Sequence, residues 1–166
     1  MVNSEAFVLE FIEQAVFRLR ENTEKIERCL AEYSEKELWK RPNEASNSMG
    51  NQLLHLSGNI RQYIHFGIAG QSDIRQRDSE FSTNEGYDKA TLMANLKHTI
   101  EEAIGIIEQQ NVARLLQKST VQSFELTGLA NILHVVEHYS YHSGQIAFWT
   151  KILKSKDLGF YAGLDL

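Results

Sequence analysis

Apolar residues recur every three or four positions through four long stretches of this chain, and that spacing places them on one face of an α-helix. The pattern predicts four long helices, over residues 5–31, 47–70, 88–110 and 127–154. Ser4 and Thr127 suit the N-cap positions of the first and last helices, and Gly70 suits the end of the second. Most of the chain is therefore expected to be helical.

The segments between these helices are polar and rich in turn-forming residues. Ser34 and Glu37 have capping-box spacing and predict a short helical turn that ends before Pro42. Residues 71–87 have no sustained period, so we interpret them as a long crossover between the second and third helices. Residues 111–124 are compatible with either an extended segment or a short helical turn, and we treat them as a connection.

The simplest fold that buries four one-sided helices is an all-α four-helix bundle with one long crossover. The single proline, Pro42, leaves the helices uninterrupted. The 166 residues are enough for one domain with a sizeable core, so we expect a single domain over residues 1–166.

Composition and charge narrow the functional classes. The 17 Lys and Arg residues against 22 Asp and Glu residues give a formal charge of −5, which disfavours binding to nucleic acid or to an anionic membrane surface. No stretch reaches the ~18 consecutive apolar residues of a membrane span, and no leader pattern stands at the amino terminus. We therefore expect a cytoplasmic protein.

One cysteine, Cys29, excludes an internal disulfide and a site built on paired thiolates. We expect Cys29 to be a small core residue rather than a nucleophile. Any metal site must therefore use other ligands.

Three of the six histidines, His134, His138 and His142, follow one another at intervals of four residues in the last predicted helix. Neighbouring members of the series share a face, so a pair of them can bind one metal ion. Because a catalytic divalent ion commonly takes three protein ligands, a third must come from another helix. The best candidate is His55, which stands among leucines in the second predicted helix, although a buried histidine can equally be a hydrogen-bonded core residue. His65 and His98 are weaker candidates.

Two segments resemble a known family. Asn-Ser-Met-Gly-Asn-Gln-Leu-Leu-His-Leu-Ser-Gly-Asn (47–59) and His-Tyr-Ser-Tyr-His-Ser-Gly-Gln-Ile (138–146) are similar to the DinB-like (DinB/YfiT) superfamily of bacterial four-helix bundles, and the likeness spans nearly the whole chain. The resemblance implies that His55, His138 and His142 bind one divalent metal ion, commonly zinc or nickel. It gives His134 no ligand role.

Several residues near these motifs have two interpretations each. Asn59 could reach the site or bond to neighbouring backbone, and Glu137 could support a ligand or be solvated. The Gly144–Gln145 step suggests close helix packing with a buried amide. Arg75 and Arg77 in the crossover could meet an anionic substrate or remain on the surface.

A divalent ion held by three histidines can lower the pKa of a bound water or thiol. The resemblance implies either a transferase that activates a low-molecular-weight thiol against a small electrophile or a hydrolase that activates water, and we favour the transferase. The alternative is a non-catalytic bundle in which the histidines hold a structural ion or none, and which binds a small molecule or a partner. The resemblance also implies a homodimer, for which the apolar tail 159–166 offers a surface.

Overall fold

The computed structural model describes residues 3–163 and 165. Its elements, in chain order, are α1 (Ser4–Ala31), α2 (Met49–Ile60), a π-helical segment (Arg61–Phe66), α3 (Arg77–Ser82), α4 (Lys89–Glu108), α5 (Val112–Leu116), β1 (Lys118–Val121), β2 (Phe124–Thr127) and α6 (Gly128–Lys154). The four long helices of the predicted bundle are α1, α2 with its π-helical extension, α4 and α6. The all-α fold with a long crossover is confirmed.

Side-chain caps set most of the helix starts. Ser48 and Asn51 form a complete capping box at the start of α2, and Thr127 accepts a hydrogen bond from the backbone N–H of Ala130 at the start of α6. At α1 the prediction was one residue late, because the N-cap is Asn3, whose side chain accepts from the N–H of Glu5. Hydrogen bonds between residues two or three positions apart therefore define the starts of these helices.

Several short elements were not assigned from the sequence pattern. The second helix widens into a π-helix over 61–66, and the crossover contains the short helix α3. Residues 112–127, which include most of the unassigned connection, form helix α5 and an antiparallel hairpin, in which Lys118 pairs with Thr127 and Val121 with Phe124. The hairpin buries little besides Val121, so its apolar alternation along the sequence was weak.

Side-chain contacts define the direction of each helix. The hydroxyl groups of Thr23 and Tyr139 lie 2.9 Å apart, and those of Tyr33 and Thr150 lie 3.4 Å apart. Residue numbers rise together in these two contacts, so α1 and α6 run parallel. By contrast, α2 runs antiparallel to α6, because the later residue of α2 contacts the earlier residue of α6.

Helices α2 and α4 are parallel, which explains the long crossover. Arg61 donates to the hydroxyl of Thr99 at 3.2 Å, and His65 lies 3.9 Å from the carboxylate of Glu102. The bundle is therefore up, down, down, up. A connection between two parallel neighbours must return along the whole length of the first helix, so residues 71–88 run back beside α2.

The core lies between the four long helices and contains Cys29, which is fully buried as expected. Several residues of the predicted apolar faces are nevertheless exposed, among them Phe7 (60%) and Phe148 (68%). In the tail, Leu158 is buried and Phe160 packs against the core, whereas Leu164 and Leu166 lie outside the described residues. None of the helices in the described part of the chain is long and apolar enough to cross a membrane.

Candidate metal centre

Three histidines from α2 and α6 meet near the middle of the bundle. His55, His138 and His142 each offer one ring nitrogen, and the three nitrogens lie within 4.8 Å of one another. The Nε2 atoms of His55 and His138 are 3.1 Å apart. The His-x-x-x-His spacing on α6 puts two rings on one face, and the antiparallel packing of α2 brings the third to them.

Two imidazoles of this cluster, those of His138 and His142, are held neutral. Burial, together with repulsion from His142 and His55, lowers the pKa of His138 to about 3. Burial and the neighbouring His55 lower the pKa of His142 to about 4, although the side chain of Gln145 acts in the opposite direction. At neutral pH both rings therefore carry the free lone pair that a metal ligand requires.

His55 is oriented by a buried carboxylate from the crossover. Its Nδ1 lies 2.9 Å from Oε2 of Glu80, and the Arg75 guanidinium contacts both oxygens of that carboxylate at 2.7 and 2.8 Å. Burial would raise the pKa of Glu80, but hydrogen bonds from Arg75 and His55 outweigh it and lower this pKa below its usual value. Because an ionised carboxylate only accepts, the proton of His55 sits on Nδ1 and its Nε2 lone pair faces His138.

The backbone around α3 holds this carboxylate in place. The side-chain amide of Asn51 donates to the carbonyls of Glu80 and Thr83 at 2.9 and 2.7 Å. Opposite the carboxylate stands Gly58, where a Cβ atom would lie 1.9 Å from Oε1 of Glu80. The ring of Phe81 packs on His55 with centroids 4.9 Å apart. The short helix α3 therefore covers one side of the histidine cluster.

His134 lies one turn before the cluster and takes a different role. Its Nε2 accepts a hydrogen bond from the Asn59 amide at 3.2 Å, and its ring stacks on Tyr63 with centroids 3.9 Å apart. The Asn59 side chain and the His134 ring are therefore hydrogen-bonded to each other. On the other side of the cluster, Gln52 donates to Gln145 at 3.2 Å, so the amide of Gln145 is hydrogen-bonded, although the bond is half-buried and not fully buried as expected.

The structure corrects the expectations for several neighbouring residues. The side chain of Arg75 is buried and pairs with Glu80, so it is neither a free anion receptor nor a surface residue. Arg77 lies over the ring of Phe81 and is exposed, as one of its two interpretations had it. Gly144 makes no close helix contact among the described residues, because a Cβ there would meet no atom within 4 Å. Glu137 is exposed, as one of its two interpretations had it.

Glu80 is the site residue that the sequence did not reveal. It lies 25 residues from His55 in a polar segment, and only its position in a long crossover connects it with the site. Of the two other histidines, His65 is buried against the carbonyl of Thr99, and His98 is exposed beside Glu102.

The donor set fits a divalent metal ion. Nitrogens at the ~2.0–2.1 Å bond length of zinc stand about 3.3 Å apart at the corners of a tetrahedron, close to the 3.1 Å between His55 and His138. A carboxylate bonded to the opposite nitrogen of a ligating histidine is the usual support of such a ligand. The cluster can therefore hold one ion through three histidines.

Solved structures with the same fold include bacterial DinB-like proteins. YjoA of Bacillus subtilis, a DinB-like protein, has 20% sequence identity and a TM-score of 0.68, with 89% of this chain and 96% of that chain covered. A conserved protein of Enterococcus faecalis has 15% identity and a TM-score of 0.71, with 87% and 97% covered. These likenesses establish the fold.

A mutant of mycothiol-dependent maleylpyruvate isomerase is more distant, with 12% identity, a TM-score of 0.57, and 84% of this chain but 59% of that chain covered. No curated protein matches the chain by sequence. The family model described as "Protein of unknown function (DUF1572)" matches residues 6–162. Because that match covers nearly the whole chain, the chain belongs to the DUF1572 family, and it has the same fold as the DinB-like proteins.

Proposed function

We propose that this protein binds one divalent metal ion through His55, His138 and His142 and uses it as an enzyme. The observation that carries the proposal is the convergence of three imidazole nitrogens within 4.8 Å of one another, with one of the three rings oriented by a buried carboxylate. Three protein ligands are typical of catalytic sites, in which the remaining position takes water or substrate. Imidazole suits both zinc and nickel, the two ions that we expect.

The chemistry that we favour is thiol-dependent transfer to a small electrophile. A divalent ion in this site would lower the pKa of a thiol or water molecule that binds to it. The fold is shared with a mycothiol-dependent isomerase, which supports the thiol over water as the activated group. In this scheme Glu80 keeps His55 in the ligating tautomer, and Phe81 shields that ring on one side.

Metal content tests the site directly. Protein purified without a polyhistidine tag should contain one equivalent of zinc or nickel, and His138→Ala and His142→Ala should each contain far less. His134→Gln is the matched control, since it removes a neighbouring histidine of α6 that bonds Asn59 instead. If the double variant His138→Ala/His142→Ala still holds one equivalent, the proposed ligand set is wrong.

Activity assays distinguish the thiol transferase, the hydrolase and the non-catalytic bundle. Small thiols are tested with generic electrophiles, and ester substrates are tested in parallel, each with metal-loaded and chelator-treated protein. Thiol-dependent, metal-dependent turnover is the expected result. Turnover of esters without thiol would favour the hydrolase, and stoichiometric metal with no turnover of either substrate set would favour the non-catalytic bundle.

A further inference from the structure

A second feature of the groove between α2 and α6 lies one helical turn from the histidines. It is a cavity of about 450 Å³, within the size range of small-molecule sites. Tyr33, Met49 and Ile146 form its buried floor, and the loop around Ala45 forms part of its rim. We call it the α2–α6 cavity.

The lining of the α2–α6 cavity is uncharged. In a chain of which 23% of the residues are charged, its lining within the described residues contains only apolar, aromatic, hydroxyl and amide side chains. Trp149 is half-buried in its wall, and Phe148 and Ile152 are exposed at 68% and 53%. Such a lining favours an apolar or aromatic group and penalises a charged one, which would lose hydration without gaining an oppositely charged partner.

A pair of glutamines connects this cavity with the metal centre. Gln52 and Gln145 both line the cavity and are hydrogen-bonded to each other at 3.2 Å. Gln52 stands three residues before His55, and Gln145 stands three residues after His142. Because residues three apart on a helix share a face, the cavity begins about one turn, ~5 Å, from the metal ligands.

A cavity on the opposite side of α2, next to Glu80, is less suitable. It has a volume of about 440 Å³ and lies between the crossover and α4, with Arg61 and Asp73 in its wall. Arg75 and Glu80 line it, and Glu80 contacts Nδ1 of His55, whereas the nitrogen that faces the other histidines is Nε2. A molecule in that cavity would therefore meet the Arg75–Glu80 ion pair on the Nδ1 side of His55, away from the nitrogens that converge.

We infer that the α2–α6 cavity binds the uncharged, apolar or aromatic part of the substrate, next to the reactive group at the metal centre. This inference rests on the proposed function, because it assigns the specificity of the same site. It names the substrate class as small molecules with an uncharged hydrophobic body. The glutamine pair lies between that body and the reactive end.

Three probe molecules and two states of the protein test this arrangement. The probes are 2-(2-naphthyl)ethanethiol, its S-methyl thioether, and 3-mercaptopropionate, which has a thiol but a charged body. Each is titrated into zinc-loaded and metal-free protein by calorimetry. We expect the naphthyl thiol to bind at least tenfold more tightly to the zinc-loaded protein than to the metal-free protein. The thioether should bind both forms equally, and 3-mercaptopropionate should bind at least tenfold more weakly than the naphthyl thiol.

Cavity variants locate the binding. Ala45→Phe fills the rim of the cavity, and Trp149→Ala removes part of its wall. Each variant should bind the naphthyl thiol and the thioether at least fivefold more weakly, while the zinc content stays at one equivalent. Phe124→Ala is the control, since this exposed hairpin residue lies outside the cavity. Unchanged affinities in both cavity variants, or equal binding of the charged and naphthyl thiols, would overturn the inference. A protein that holds no zinc would instead refute the metal site, and thioether binding to the metal-free protein would still test the cavity.

Discussion

Replacement of Glu80 by glutamine removes the charge that links the crossover to His55, the proposed metal ligand. In the native protein the side chains of Arg75 and Glu80 are only 3% and 8% exposed, and two N–H···O contacts of 2.7 and 2.8 Å join them. Loss of one partner of such a buried pair costs about 3–5 kcal/mol because the remaining charge is left uncompensated. Glutamine keeps one carbonyl acceptor, so we expect a loss near 3 kcal/mol in the free energy of unfolding.

The same variant should weaken metal binding. Mutation of a carboxylate that supports a ligating histidine typically lowers metal affinity about 10–100-fold, which corresponds to about 1.4–2.7 kcal/mol. The physical reason is that the carboxylate fixes the Nδ1–H tautomer of His55 and makes its Nε2 a stronger electron-pair donor to a metal ion. Zinc affinity is measured by competition with a chromophoric chelator, at a temperature where circular dichroism shows that the variant is folded.

A second measurement separates the orientation of His55 from general destabilisation. Two-bond ¹H–¹⁵N correlation spectra of the metal-free protein should show His55 as the Nδ1–H tautomer in the wild type and as a mixture in Glu80→Gln. Glu85→Gln is the matched control, because it removes the same charge from an exposed position in the crossover. Zinc affinity of folded Glu80→Gln within twofold of wild type, with an unchanged tautomer, would contradict this account.

Two further predictions concern helix packing and pH. Gly58→Ala should destabilise the protein and reduce its zinc content, since the new Cβ would lie 1.9 Å from Oε1 of Glu80. Gly144→Ala should instead stabilise the protein by about 0.5–1 kcal/mol, because the new Cβ meets no atom within 4 Å and alanine favours the helix. Thermal melting curves and metal analysis of both variants measure these effects. Hydrogen bonds from the Lys154 ammonium and from Ser34 lower the pKa of Glu37 to about 2. Because this pKa is below the unfolded value of 4.5, the interaction should stabilise the fold above pH 4.5, and the stabilisation should be lost as the pH falls toward 2. Urea denaturation at several pH values should therefore show a smaller decrease in the free energy of unfolding between pH 4.5 and pH 2 for Glu37→Gln than for the wild type.

Much of the fold could be predicted because its signals are local. The capping box of Ser48 and the N-cap Thr127 act over three residues, and the apolar period acts over one or two turns. The π-helical segment was not predicted, and the extended conformation of the hairpin was only one of two alternatives left open for that segment. A π-helix leaves the apolar pattern nearly unchanged, and the hairpin residues have little buried surface to mark them.

The exposure of some apolar residues could not be predicted from the sequence either. Phe148 lies on α6 among residues with helical apolar spacing, but it is 68% exposed at the α2–α6 cavity. Periodicity identifies a hydrophobic face and does not say whether another helix covers it. Only the positions of the neighbouring helices decide which part of the face becomes core and which part becomes the wall of a cavity.

The chain alone determined its four amphipathic helices and the paired rings of His138 and His142, because a spacing of four residues fixes two side chains on one helical face whatever surrounds them. The tertiary structure decided which groups complete the site. Glu80 reaches His55 across 25 residues only because α2 and α4 are parallel, which forces the crossover to return beside α2. That contact depends on the path of the whole chain through the bundle, and no local pattern of residue types encodes it.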